Sequence, residues 1–588
     1  MGQFLKFTLA SILGVFLAML LTLFIFIGII ASAVSSGDEE VIVKEHSILK
    51  LKLDFPINDR STNDPSAFFN SGSFAMDLNP GMDDIIKSIE KAATDANIDG
   101  IYLNTSSVSG GAAPLEEIRK ALLKFKESGK FIVAYAAGFD QSGYYLASTA
   151  DEIYLHPEGS LLFKGLGAEL QFYKGTLEKL EIDMQVIRHG KFKAAVEPFM
   201  LDKMSDSNRE QMDALVTSIW SDMIAPISIS RNISIDDLNK AADLLSTDDP
   251  KEALKLNFID GIKYPDEIAT ILKEKTNKAK EDDLEMLKVD KYIKSAYFNE
   301  TSVAKDKIAV IYAAGEIKAG KGDDTFIGER NIKEALIKAR EDDRVKAVVL
   351  RVNSPGGSAL VSDLIWREVV LTKEVKPVVV SMGRVAASGG YYISCAANYI
   401  YADAKTITGS IGVFGLIPNI NGFMTNKLGV TFDEVTTNEN SNYITINNAL
   451  TPYQREVIQK SVERVYDGFT SKVAEGRGMA KEDVDRIGQG RVWTGTQALQ
   501  IGLIDEIGGL NEAISKAAEL AEVETYKLKS LPAQKDPIQQ IMDDLMGKSS
   551  SLMMKYYLGQ EYQYLQMIKD IENRHTIQAR MPFEVNIR

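Results

Sequence analysis

A single cysteine, four histidines and a shortage of basic residues narrow what this 588-residue chain can be. Cys395 alone excludes an intrachain disulfide and any cysteine-cluster metal site. Set beside an alanine-rich run, it reads as a small buried side chain. The histidines are His46, His156, His189 and His575, so a Ser-His-Asp triad has few candidates for its base. Neither a metal nor a nucleotide cofactor is expected. Lys and Arg number 67 against 82 Asp and Glu, for a formal net charge of −15. An acidic chain without a basic block is a poor binder of nucleic acid, and none is expected as a partner. Hydrophobic residues at 45% and charged residues at 25% are those of an ordinary globular protein, and the length suffices for two or more domains.

Charge is missing altogether from residues 7–34, FTLASILGVFLAMLLTLFIFIGIIASAV. That run exceeds the roughly 20 apolar residues a helix needs to cross a bilayer and the roughly 7–15 of a signal-peptide core. The segment ASA at 31–33 resembles a processing site. The length favours an uncleaved anchor, with residues 1–6 cytoplasmic. Lys6 ahead of the run places the bulk of the chain on the other side of the membrane, the periplasmic side in a cell with two membranes.

What the chain does contain is itself, twice. AGFDQSGYYLASTADEIY around residue 144 matches GRVAASGGYYISCAANYIY around residue 391, at 391 − 144 = 247. GIYLNTSSVSGG (100–111) matches AVVLRVNSPGG (347–357), and EALKLNFIDGI (252–262) matches QALQIGLIDEI (497–507). Three matches in one order at nearly constant spacing mark a duplicated domain of about 200 residues or more, far longer than a solenoid repeat. The N-terminal repeat is expected over 47–272 and the C-terminal repeat over 308–525. Residues 273–307 read as a charged, partly helical bridge, and 526–588 as a tail with an amphipathic helix. Within a repeat, KAVVLRV (346–352) and KPVVVSM (376–382) are short β-branched runs, and the segment between them has helical spacing. Strand, crossover helix and parallel strand make an α/β layer.

Three places can carry chemistry. NSPGG (353–357) follows a buried strand, and Gly356 and Gly357 can offer backbone N–H groups to a developing oxyanion, or simply make a turn. Ser388 lies among Ala386, Ala387, Gly389 and Gly390, which leave room for a substrate backbone. It stands at the expected start of a helix, where capping is the ordinary role of a serine. A serine nucleophile needs a base. In VIRHGKFKAAVEPFM (186–200) two candidates stand four residues apart, His189 and Lys193. A lysine serves only if its pKa, about 10.4 when free, falls toward roughly 7–8, as burial can make it do. The first repeat has this lysine but Gln141 where the second has Ser388. The second has VTTNENSNYI, without a lysine, where the first has Lys193. Two half-degenerate copies sharing one site account for both losses.

At GKFKAAVEPF, NSPGG, AASGGYYIS and TGSIGV the chain resembles the signal peptide peptidase A family in its long, membrane-anchored, two-repeat form. The resemblance spans about residues 1–525. It implies an α/β fold of tandem Clp-protease/crotonase-like domains behind an N-terminal transmembrane helix. It also implies serine proteolysis by a Ser/Lys dyad. Ser388 matches the nucleophile, Lys193 the general base, and Gly356 the oxyanion amide with Gly357 beside it. Ser410 of TGSIGV can orient the lysine amine or serve as a turn residue. The substrates implied are apolar remnant signal peptides held at the membrane, and a ring-like homo-oligomer is expected by analogy. A crotonase-like acyl-CoA enzyme and a catalytically silent membrane scaffold are the competing readings.

Overall fold

The computed structural model describes residues 2–35, 41–61, 79–299, 304–534 and 577–581. Gly2–Ser35 is one continuous helix. Over Gly2–Thr22 it is apolar and long enough to cross a membrane, and none of that stretch is buried against the rest of the chain.

The β-branched runs form two parallel sheets of one design. In the N-terminal repeat the strands are β1 (Ser47–Leu51), β2 (Ile98–Leu103), β3 (Phe131–Ala136), β4 (Glu152–Leu155), β6 (Gly261–Ile262) and β7 (Met286–Lys288). They lie in the order β6-β4-β3-β2-β1-β7, every pair parallel. In the C-terminal repeat β8 (Lys307–Ala314), β11 (Val345–Ser354), β13 (Val378–Ala387), β14 (Tyr399–Ala402), β18 (Glu506–Ile507) and β19 (Lys527–Leu531) take the matching order β18-β14-β13-β11-β8-β19, again parallel. Strands β15 (Ile407–Gly409) and β17 (Val492–Thr494) extend this second sheet beside β13. Parallel strands covered by helices on both faces are buried throughout, which is why these runs are continuously apolar rather than alternating. Val345, Ala347, Val348, Val349, Leu350 and Val352 of β11 are all inaccessible.

Two segments depart from the sequence reading. The supposed bridge 273–307 belongs largely to the first repeat. β7 pairs with β1, and Tyr292 is fully buried and bonds through its hydroxyl to Asp95 at 3.1 Å. Its charges line the outside of an edge strand and hid the apolar contacts of Val289, Tyr292 and Phe298. The tail is not separate at either described end: β19 closes the edge of the second sheet, and residues 577–581 return to the body. The amphipathic helix expected between them lies outside the described residues.

A third sheet joins the halves. It contains β5 (Asp183–His189) of the first repeat with β9 (Glu316–Lys318), β10 (Phe326–Gly328), β12 (Gly356–Ser358), β16 (Val413–Asn419) and β20 (Gln578–Arg580), in the order β10-β9-β12-β20-β16-β5. Seven residues of β5 pair antiparallel with β16, from Val413↔His189 to Asn419↔Asp183. The halves are also locked by charge. Arg351 on β11 is 1% exposed and donates to Asp59 (2.8 Å), Glu117 (2.7 Å) and the Ser381 hydroxyl (2.8 Å). Glu117 also accepts the Leu510 backbone N–H at 3.0 Å.

Candidate active site

Ser388 is the first residue past β13, and the chain there turns at once into the six-residue helix Gly389–Ser394. Its backbone sits at φ 55° and ψ −112°. A β-carbon is disfavoured in that region, and such strain at a non-glycine residue persists only where the surroundings hold it. Here the Ser388 N–H is tied to the Gly409 carbonyl at 2.8 Å. Behind it, a β-carbon on Gly390 would lie 2.6 Å from the Ser354 carbonyl oxygen. The small residues around Ser388 therefore let its turn meet the NSPGG turn closely.

Lys193 reaches Ser388 because β5 is paired to β16. The chain leaves β5 through Gly190 (φ +105°), and the Phe192 N–H bonds to the Gln489 carbonyl at 2.8 Å. Lys193 is fully buried, with its Nζ 2.9 Å from Ser388 Oγ. The amine also donates to the Ser410 carbonyl (3.2 Å) and the Ser410 hydroxyl (3.1 Å). That hydroxyl in turn donates to the Gly490 carbonyl at 3.2 Å. Burial alone drives the lysine pKa well below its ordinary value. A neutral amine has two N–H groups and one lone pair. Both N–H groups are accounted for by Ser410, so the lone pair is left facing Ser388. Ser388 Oγ lies 3.4 Å from the Gly412 carbonyl, its other hydrogen-bonding neighbour.

Gly490 is a site residue the sequence reading missed. At φ +81°, a β-carbon on it would lie 2.6 Å from Lys193 Cβ. Gly490→Ala is therefore expected to displace the lysine and slow fluorophosphonate labelling of Ser388 by roughly 100-fold, the usual effect of misplacing a reacting group by about 1 Å.

Gly356 (φ +95°) and Gly357 (φ +154°) make the turn before the helix Ala359–Lys373. Only Gly356 faces Ser388 closely: a β-carbon on it would lie 2.6 Å from the Gly389 nitrogen. The Gly356 N–H donates to Ser354 Oγ at 3.1 Å. The Gly389 amide nitrogen, directly after Ser388, thus lies close against Gly356. Gly357 pairs instead with Ile317 and Ala579 in the third sheet.

The histidines stand elsewhere. His189 stacks on Tyr466, ring centroids 3.9 Å apart. His46 bonds to Asp99 at 2.8 Å, and His156 packs edge-on against Tyr264. His575 lies outside the described residues. Cys395 is buried, its thiol pushed up to about 12, and is inert packing. In the first repeat Gln141 fills the place that corresponds to Ser388. Its Oε1 accepts the N–H groups of Lys164 (3.1 Å) and Gly165 (3.0 Å), and its Nε2 donates to the Gly165 carbonyl at 3.3 Å. Gly165 is the counterpart of Gly412, so the glutamine amide plugs with three bonds the space a serine leaves open.

Two stretches, 124–279 and 371–524, match the family described as Peptidase family S49, one in each repeat. The chain is 35% identical to Protease 4 of Haemophilus influenzae over 82% of its own length and 80% of that protein. The chain belongs to peptidase family S49. It is 33% identical to the chloroplastic serine protease SPPA of Arabidopsis thaliana over 92% of its length and 78% of that protein. Among solved structures, a point mutant of ClpP1 from Listeria monocytogenes aligns with 35% of this chain and 94% of its own, at 15% identity and a TM-score of 0.24, a likeness too slight to carry an argument. This S49 peptidase is accordingly a serine-type protease of the two-repeat kind, and membership displaces the acyl-CoA enzyme reading.

Proposed function

We propose that the chain is a membrane-anchored endopeptidase that hydrolyses apolar peptides, remnant signal peptides among them, with Ser388 as nucleophile and Lys193 as general base. The observation that carries this is the 2.9 Å approach of a fully buried amine to a strained, buried serine hydroxyl. Ser388 donates its proton to neutral Lys193 and attacks the peptide carbonyl. The oxyanion forms against the Gly356 and Gly389 amides, the first of them exchanging its bond to Ser354 Oγ for one to substrate. Lys193 returns the proton to the leaving amine, and a water repeats the sequence to release the acyl group. No step requires a metal or an organic cofactor. The helix Gly2–Ser35 anchors the protein, with both repeats on the extracytoplasmic side, where apolar peptides leaving the bilayer meet the cleft. Like copies assemble through this duplicated body. The test is labelling by a fluorophosphonate: the adduct should map to Ser388 and vanish in Ser388→Ala. An active chain labelled at another serine would sink the assignment.

Ser410 is a positioning residue in this scheme. Ser410→Ala removes an acceptor from one Lys193 N–H. It should lower kcat by about 10- to 100-fold with KM little changed, on the scale of general-base contributions. Losing that acceptor favours the neutral amine, so the acidic limb of the kcat profile should move to lower pH. A purely structural role would leave that limb in place.

A further inference from the structure

One tyrosine holds the loop that carries Lys193 from both sides. Tyr466 lies on the helix Pro452–Arg477, where Ile458, Val462, Tyr466, Phe469 and Val473 recur at helical spacing and are all buried. That periodicity turns the tyrosine ring inward. The ring stacks on His189, with centroids 3.9 Å apart and an interplanar angle of 26°. His189 is the last residue of β5, just ahead of the lysine loop. Across the loop, the tyrosine hydroxyl accepts the Gln489 N–H at 3.2 Å and donates to Asp485 Oδ1 at 2.6 Å. The same carboxylate oxygen accepts Gln489 Nε2 at 2.6 Å. Burial first, and the bond to Asp485 second, raise the phenol pKa, so the hydroxyl keeps the proton it donates.

Gln489 needs this support. It sits at φ 53°, in the left-handed region that a β-carbon disfavours. Held there, it presents its carbonyl to the Phe192 N–H at 2.8 Å and sets Gly490 against Lys193. The Gly490 N–H bonds to the Ile411 carbonyl at 2.7 Å, and the Gly490 carbonyl accepts the Ser410 hydroxyl at 3.2 Å. Residues 489 and 490 are thus a strut between the lysine loop and the Ser410 turn that orients the amine. On the outer side of the strut is an open cleft of about 810 Å³. His189, Tyr466, Asp485 and Gln489 line it, whereas Lys193 is fully buried. The strut and its tyrosine therefore separate the amine from water.

We propose that Tyr466 is a positioning residue for Lys193: its ring braces His189 ahead of the lysine, and its hydroxyl, together with Asp485, fixes Gln489 beside it. This rests on the roles proposed above for Ser388 and Lys193. The hydroxyl is committed to Asp485 and Gln489, so Tyr466 acts through the strut and takes no part in proton transfer. Loosening the strut has two effects on the amine. It drifts out of line with Ser388, and water reaches it from the cleft. Hydration favours the ammonium and raises the lysine pKa back toward its ordinary value.

The test measures hydrolysis of an apolar fluorogenic peptide and fluorophosphonate labelling of Ser388 across pH, on the full chain in detergent. Tyr466→Phe keeps the ring and loses the hydroxyl. It should lower kcat about 10-fold with KM little changed, as a small displacement of a reacting group does, and move the acidic limb of the kcat profile to higher pH. Asp485→Ala should do the same, while Asp485→Asn, which retains an Oδ1 acceptor, should stay close to wild type. His189→Ala should also slow kcat, and His189→Phe, which restores a ring to the stack, should recover it; this pair decides the matter if Tyr466→Phe does not fold. Tyr292→Phe is the control. It too removes a buried tyrosine–aspartate bond, to Asp95 in the first repeat, and should lower the melting temperature with kcat and the acidic limb in place. If Tyr466→Phe keeps the wild-type kcat and limb, loses only in KM, or melts lower without moving the limb, the tyrosine is packing and the inference is overturned. The peptidase reading then still stands, provided Lys193→Ala silences labelling. A wild type whose Ser388 takes no fluorophosphonate, or takes it equally in Lys193→Ala, sinks both.

Discussion

Lys193→Ala is expected to lower kcat/KM for peptide hydrolysis by roughly 10³- to 10⁴-fold and to abolish fluorophosphonate labelling of Ser388, leaving the protein folded. The loss follows from the geometry: among the described residues the Lys193 amine is the one basic group within hydrogen-bond reach of Ser388 Oγ, whose remaining neighbour is a backbone carbonyl. Lys193→Arg should be equally inactive, because a guanidinium stays protonated. In wild type the rate should rise with pH through a single ionisation lying well below the ordinary lysine value, since only the neutral amine accepts the serine proton and burial favours that form. Stability carries the same signature. The native pKa is depressed below the unfolded one, so between the two the unfolded chain binds a proton the native chain does not. Native stability therefore rises with pH across that window. Lys193→Met, which keeps the volume, should remove that rise and leave the variant relatively more stable at neutral pH than at pH about 10. Thermal unfolding at several pH values measures it. A flat wild-type profile would contradict a neutral native lysine.

Arg351→Met should have the second large effect, this time on folding. Arg351 satisfies Asp59 and Glu117 of the first repeat from a strand of the second, and all three are nearly inaccessible. Replacing the arginine leaves two carboxylates buried without their cation, at a cost of about 3–5 kcal/mol. Yield and melting temperature should both drop. The triple variant Arg351→Met, Asp59→Asn, Glu117→Gln should recover most of the loss, because removing the whole charged group is far cheaper than breaking it. If the single variant melts like wild type, charge does not lock the halves.

Much of this protein is written along the chain. The uncharged run before residue 35 required a helix of membrane-spanning length, and the continuous β-branched runs required parallel, doubly covered strands. The 247-residue offset required two similar units, and β4 and β14 keep that offset to the residue. Ser388 and Lys193, which the structure brings together, were legible as candidates because each is present in one copy and missing from the other. Gly490 was not, because a glycine's role depends on what its absent β-carbon would strike, and Lys193 approaches Gly490 from the other repeat. Residues 286–292 were misread because an edge strand can be charged outside and still anchor a buried tyrosine.

By itself, the sequence determined the duplicated α/β architecture, the apolar leading helix and the candidate reactive residues, since all of these follow from local periodicity and comparison of the two copies. Only the tertiary structure decided that β5 crosses to β16 and brings the amine to the hydroxyl. It alone placed β20 between β12 and β16. Both are pairings between segments remote in the chain, and backbone hydrogen bonds of that kind leave no periodic trace in the residues that make them.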